Sequence, residues 1–242
     1  MNALLEVSTV AKSFRGLKAV AEASFEVAQG EIVGMIGPNG AGKTTIFNLV
    51  AGVFVPDRGQ IRFAGNRIDG LRADQVCGAG IGRTFQIVKP FAGLSVLDNV
   101  TVGALHRTSG VAAAKRHAAA IVERLGLAAK RDLPASTLTL PERKRLEVAR
   151  ALATRPQLLL LDEVMAGLTP TECDRMVEVF RELNRTDGLT ILLIEHVMRA
   201  VMALARHIVV LHHGEIISRG APEEVVRDPA VLECYLGEEA EV

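Results

Sequence analysis

Apolar and polar residues alternate in Leu4-Leu5-Glu6-Val7-Ser8-Thr9-Val10 and again in Ala23-Ser24-Phe25-Glu26-Val27. That is the period of a strand with one face buried. Glu31–Gly37, "EIVGMIG", predicts a strand running into a glycine-rich loop, and "TTIFNLVAGV" predicts the helix after it. "GQIRFAGNRI" reads as a strand closed by an Ala-Gly-Asn turn, and a short helix and a strand, "GIGRTFQ", are predicted between Asp74 and Gln86. From about 87 to 150, helix formers dominate in "SVLDNVTVGAL", "VAAAKRHAAAIVERLGL" and "RKRLEVARALA", which predicts a helical insertion. "QLLLLDE" is apolar throughout, as in a parallel strand covered on both faces. "TPTECDRMVEVFRELNR" predicts a helix with Thr169 as N-cap, Pro170 in its first turn and Glu172 closing a capping box. "LTILLIEH" and "HIVVLHHGEII" supply further strands, the second ending in a His-Gly-Glu turn. Strands alternating with helices predict an α/β fold. No internal repeat is visible, and the ending "GEEAEV" reads as a frayed tail.

Composition narrows the picture. A chain of 242 residues, 49% hydrophobic, is long enough for one domain, or one with a subdomain. Lys+Arg 28 balances Asp+Glu 28, so no basic surplus predicts binding to nucleic acid or anionic lipid. Cys77, Cys173 and Cys234 are odd in number and far apart, which suits reduced, buried thiols in a cytosolic protein. The start "MNALLEV" lacks the basic and apolar regions of a signal peptide. The long apolar run at 189–211 contains Glu195, His196, Arg199, Arg206 and His207, which argues against a membrane span.

The chemistry starts at Gly37-Pro38-Asn39-Gly40-Ala41-Gly42-Lys43-Thr44-Thr45, which fits the phosphate-loop pattern G-x-x-x-x-G-K-[ST]. Glycines let backbone N–H groups turn toward phosphate oxygens, and the following helix adds its positive end. In such a loop Lys43 reaches the β- and γ-phosphates and Thr44 places its hydroxyl on Mg²⁺. Leu158–Leu161 then lead into Asp162 and Glu163. A buried strand would deliver Asp162 to the metal, and Glu163 could take a proton from an attacking water. His196 stands at a strand end, where α/β sites lie, although read alone a solvated strand-end histidine explains it better. Gln86 read alone is a polar strand terminus, and Phe14 read alone is core.

Taken in order, Phe14, the phosphate loop, Gln86, a helix from about 138, "LLLLDE" and His196 resemble the ATP-binding cassette ATPases, the nucleotide-binding subunits of ABC transporters. The resemblance runs from Leu5 to about Gly237. It implies a P-loop ATPase core with a mostly parallel sheet over 1–86 and 151–242, an N-terminal antiparallel β subdomain, and an inserted helical subdomain over about 87–150. It also implies that Phe14 stacks on adenine and that Gln86 senses the γ-phosphate and Mg²⁺. His196 would hold the γ-phosphate and the attacking water. Expected cofactors are ATP and Mg²⁺, with Thr44, Gln86 and Asp162 at the metal and Lys43, Glu163 and His196 as catalytic groups. Expected partners are a second cassette, transmembrane permease subunits and, through them, a solute-binding protein, on the cytoplasmic face of the inner membrane. "RTFQ", "PFAGLSVLDNV", "DEVMAGL", "IEHVM" and "VLECYLG" are similar to the ATPases of branched-chain amino acid importers. Urea or short-amide importers and lipopolysaccharide exporters are the alternatives. A non-transport ABC ATPase would be expected to carry a coiled-coil insertion, a second cassette or basic arms. A GTPase would be expected to carry the guanine-reading N-K-x-D string.

One element departs from the pattern. The family's L-S-G-G-Q reads Leu138-Thr139-Leu140-Pro141-Glu142 here. In the family this helix start covers the nucleotide of the neighbouring subunit. Thr139 keeps a hydroxyl for that role, but Pro141 has no N–H to offer. Thr139 and Glu142 predict a capping box, so the helix itself should be sound. Arg143, Lys144 and Arg145 crowd its positive end, a conflict that an anion facing the helix would remove. Arg145 matches a family arginine, while Arg143 and Lys144 read either as a solvated basic face or, with Thr139, as groups that restore the lost attraction and let a homodimer work. The family's S-A-L-D likewise reads Ala166-Gly167-Leu168-Thr169. The lost backbone donor points to a heterodimer with a cassette whose signature keeps its glycines. Val88, Phe91, Leu94 and Val96 are apolar candidates for contact with the permeases, and a core role fits each of them as well.

Overall fold

A computed structural model describes residues 3–86 and 89–236. Val88 and the segment from Gly237 onward lie outside the described residues. In chain order the elements are β1 (Ala3–Phe14), β2 (Leu17–Ala28), β3 (Ile32–Ile36), α1 (Lys43–Val50), β4 (Arg58–Phe63), β5 (Asn66–Arg67), α2 (Ala73–Ala79) and β6 (Ile81–Arg83). There follow α3 (Val96–Leu105), α4 (Val111–Arg124), α5 (Leu140–Ala153), β7 (Leu158–Asp162), α6 (Pro170–Asp187) and β8 (Thr190–Ile194). The chain closes with α7 (Met198–Leu204), β9 (His207–His212), β10 (Glu215–Gly220), α8 (Pro222–Val225) and α9 (Pro229–Leu236).

The strands join in the order β5-β4-β1-β2-β10-β9-β3-β8-β7-β6. β9, β3, β8, β7 and β6 are mutually parallel, while β1, β2, β4 and β5 pair antiparallel. The parallel strands β3, β7 and β8 are buried at every position. Their side chains alternate between two cores. Leu159, Leu161, Ile191 and Leu193 join the layer of α3–α7, whereas Leu158, Leu160, Leu192 and Ile194 join α1 and the antiparallel strands. An all-apolar strand is what a sheet covered on both sides requires, because neither face meets water.

The antiparallel strands run longer than their alternation predicts, since β1 continues through Lys12 and Ser13 to the Arg15-Gly16 turn. β6 is shorter than "GIGRTFQ", stopping at Arg83. The segment 207–217 is two strands rather than one, folded at His213-Gly214. Among the candidate permease contacts, Phe91 and Leu94 are exposed. Val96 is instead fully buried, because it opens α3 on the face that packs into the core.

Candidate active site

The loop between β3 and α1 needs glycine at two points for steric reasons. A Cβ on Gly37 would stand 1.9 Å from the carbonyl oxygen of Leu211, and one on Gly42 would stand 2.3 Å from that of Ala19. Both glycines also have positive φ, at 146° and 105°. Lys43 is buried, and its ammonium is held by the carbonyls of Gly37 and Pro38 at 2.6 and 2.8 Å. Asn39 to Thr45 line a cavity of about 420 Å³, completed by Leu17, Lys18, Ala19, Gln86, Glu163, His196 and His213. Residues separated widely in the chain therefore meet at the C-terminal ends of parallel strands.

Three of them meet at one carboxylate. Gln86 Nε2 donates to Glu163 Oε2 at 2.7 Å, and His196 Nε2 lies 2.9 Å from Glu163 Oε1. A carboxylate only accepts, so His196 carries its hydrogen on Nε2. Glu163 itself has φ +49°, the left-handed region. Beneath it, Asp162 is 1% exposed, and Oδ2 accepts from Arg83 at 3.1 Å. Burial pushes the Asp162 carboxyl above its ordinary value, and the Arg83 guanidinium works against that shift. Its Oδ1 is buried with no hydrogen-bond partner.

Phe14 is not among the residues lining this cavity. It ends β1, is 38% exposed, and meets Phe54 edge-on at 5.0 Å. The reading of Phe14 as core therefore does not hold, because β1 runs out into solvent at that end. Thr139 lies outside the cavity too, at the N-cap of α5. Its N–H and hydroxyl both donate to Glu142 Oε2, at 2.9 and 3.0 Å.

The basic triplet after Glu142 is not a solvated face. Arg143 stays exposed and donates to the carbonyl of Leu138. Arg145 reaches the carbonyls of Leu125 and Gly126. Lys144 is 4% exposed and points inward, donating to the carbonyl of Glu163 at 2.9 Å. The signal for this was present in the helical period: Lys144, Glu147, Val148 and Ala151 share one stripe of α5, and all four are buried. The two departures from the family pattern also touch, since a Cβ on Gly167 would lie 3.1 Å from the Leu140 side chain. Sequence reasoning missed Arg83 and Glu195, single charges at the ends of apolar stretches, and did not place Lys144, which stands inside a run of charges.

The start of α5 makes a pH-dependent prediction. The hydrogen bond from Lys130, first among several causes, holds the Glu142 carboxyl at about 2, well below its ordinary 4.5. A depressed carboxyl stabilises the fold above its unfolded value and loses that contribution as pH falls through the folded value. Glu142→Ala is therefore expected to cost about 1 kcal/mol at pH 7. In denaturant titrations the gap from wild type should stay constant down to about pH 4.5 and shrink below it. A gap that does not change between pH 7 and 3 would contradict this role.

A phosphate loop leading into α1, next to a strand ending Asp-Glu, is the architecture of a P-loop ATPase. Comparison with known proteins takes this further. The family model described as ABC transporter matches residues 20–166, and one described as branched-chain amino acid ATP-binding cassette transporter matches residues 215–241. The chain belongs to the ABC transporter family, as an ATP-binding cassette, the ATPase component coupled to transport. It is 38% identical to the high-affinity branched-chain amino acid transport ATP-binding proteins BraF of Pseudomonas aeruginosa and LivG of Escherichia coli, over 97% of this chain and 98% of each relative. The lipopolysaccharide export system ATP-binding protein LptB of Acidithiobacillus ferridurans is 35% identical over the full length of both chains. Among solved structures, the ADP conformation of MJ1267, an ATP-binding cassette of an ABC transporter, superposes with a TM-score of 0.89 at 30% identity. That match covers 98% of this chain and all of the other.

Proposed function

We propose that this chain binds MgATP and hydrolyses it to power uptake of branched-chain or related amino acids. The observation that carries the proposal is the convergence of Gln86 and His196 on Glu163 beside the phosphate loop. Backbone N–H groups of Asn39–Thr45 would hold the phosphates, with Lys43 exchanging two loop carbonyls for phosphate oxygens. Phe14, exposed near Leu17, would stack on adenine. Among the described residues no cluster of three His, Cys, Asp or Glu side chains forms a metal cage. Mg²⁺ needs only a few protein oxygens, the rest coming from phosphates and water. Thr44, Gln86 and Asp162 fit that donor set, and the unpartnered Asp162 Oδ1 supplies a buried acceptor for a cation or its water. Bound there, Mg²⁺ would neutralise charge on the phosphate oxygens. Glu163 would take the proton of the attacking water, while His196 orients it and the γ-phosphate.

Leu140-Pro141 and Thr139 would face a nucleotide held by a second cassette. Pro141 has no N–H, and Lys144 is turned into its own subunit, so of Thr139, Arg143 and Lys144 only the first two are left to offer a polar side chain to that nucleotide. A missing hydrogen bond to a charged group costs roughly 1.5–3 kcal/mol. Two such covers in a homodimer would weaken both sites, and a partner with intact glycines would leave one strong. No helix among the described residues is long and apolar enough to cross a membrane. As the ATPase component of a transporter, the chain would sit on the cytoplasmic face of the inner membrane, held by permease helices against exposed Phe85, Phe91, Val102 and Leu105.

The test is made in cells whose only copy of this chain is Lys43→Ala. Uptake of labelled leucine is expected to fall to background, with ATP affinity of the purified variant reduced about 10- to 100-fold. From wild-type membranes the chain should purify with a different cassette that has a glycine-containing signature. Recovery of an ATP-dependent homodimer in its place, or leucine uptake that does not depend on Lys43, would count against this function.

A further inference from the structure

The turn that carries Glu163 is gripped from two sides by buried ionisable side chains, Lys144 and Glu195. Lys144, on α5, donates Nζ to the carbonyl of Glu163 at 2.9 Å and reaches the carbonyl of Gln86 at 3.5 Å. Glu195 follows β8, is 2% exposed, and accepts the N–H of Met165 at 2.9 Å through Oε1. Its Oε2 is buried with no hydrogen-bond partner. Neither residue lines the nucleotide cavity. Just before the first grip the backbone passes through Glu163 at φ +49°, a strained conformation held on its other side by the Glu163 N–H donating to the carbonyl of Ile194 at 2.9 Å.

Taking both groups out of water is unfavourable, and an apolar pair of equal volume would fill the same space. An apolar pair could not hold a carbonyl on one side of the turn and an N–H on the other. Lys144 also ties two motifs that meet only in space, the Gln86 segment and the Glu163 turn. Glu195, the residue before His196, ties the same turn to the end of β8. Lys144 thus holds the backbone of Gln86 and Glu163, and Glu195 fixes the turn beside His196.

We propose that Lys144 and Glu195 are positioning residues that clamp the Glu163–Met165 turn, setting the Glu163 carboxylate against Gln86 and His196. The clamp rests on the reading of Glu163 as the base. Because Lys144 belongs to α5, the placement of that base follows the placement of the helix whose start faces the second cassette.

The experiment uses the full chain assembled with its partners. Lys144→Met keeps the length of the side chain and removes the donor. It is expected to lower kcat about 10- to 100-fold while the Kd for ATP stays unchanged, since small displacements of a reacting group cost rate rather than binding. Lys144→Arg, which keeps a donor, should recover most of the loss. Glu195→Leu should show the same split, and Glu195→Gln, which still accepts from Met165, should stay close to wild type. The double variant Lys144→Met with Glu195→Leu should be no slower than the slower single, because the two act on one turn. A folded Lys144→Met with wild-type kcat would overturn the clamp, as would equal losses in kcat and ATP affinity. Should Lys144→Met fail to fold, the contrast between Glu195→Leu and Glu195→Gln decides, and equal turnover in those two overturns the proposal. Glu163→Gln in the same preparation separates the two ideas. Turnover in that variant would remove the base assignment and the clamp with it, whereas its absence leaves the clamp to be judged on the Lys144 and Glu195 variants.

Discussion

The Glu163→Gln chain, assembled with its partners, is expected to bind ATP normally and to lose about 10²- to 10⁴-fold in steady-state hydrolysis. Part of the reason is the lost base, since an amide cannot take the proton of a water. The geometry adds a second reason. Glu163 accepts from Gln86 Nε2 on one oxygen and faces His196 Nε2 with the other. An amide offers one acceptor and one donor, so one of those contacts becomes donor against donor. Either the Gln86 amide must flip to present its oxygen or His196 must carry its hydrogen on Nδ1, so the hydrogen-bonding pattern around the water changes as well as the base. The phosphate loop is untouched, so equilibrium binding of labelled ATP should match wild type. Near-normal turnover in the assembled variant would show that Glu163 is not the base.

Arg83→Met is expected to destabilise the chain by about 3–5 kcal/mol, the cost of breaking a buried ion pair from one side. The Arg83 and Asp162 side chains are 10% and 2% exposed, and their contact is 3.1 Å. Arg83 also donates to Asn48 Oδ1 at 2.6 Å, joining α1 to β6 and β7. Removing the guanidinium leaves the buried Asp162 carboxyl without its partner, so it either carries an unpaired charge or takes up a proton, in the direction burial already pushes it. A loss of that size is a large share of the roughly 5–15 kcal/mol that holds a typical domain folded. The denaturant midpoint is the measurement. Adding Asp162→Asn to Arg83→Met should restore part of the lost stability, because the unpaired carboxyl is then gone. If the double variant is less stable than Arg83→Met alone, the ion pair is not what Arg83 supplies.

The two cores were readable in the chain because strand and helix periods are local. Leu158–Leu161 had to be a strand covered on both faces, and the capping residues Thr139 and Thr169 marked where α5 and α6 begin. The phosphate loop was readable for the same reason, its chemistry lying within Gly37–Thr45. The period of α5 places Lys144 on the buried stripe, but period and composition did not say what a single charged residue meets there. Lys144 read as a solvated cation or as cover for a partner's nucleotide, yet its carbonyl partners sit 19 and 58 residues away in the chain. Arg83 meets Asp162 across 79 residues, and Gln86 meets Glu163 across 77. Local sequence dictates where strands and helices start because each residue's backbone preference and side-chain face act on its immediate neighbours. A buried charge is placed by partners on other elements, and those partners come within reach only when the sheet brings the ends of β6, β7 and β8 side by side.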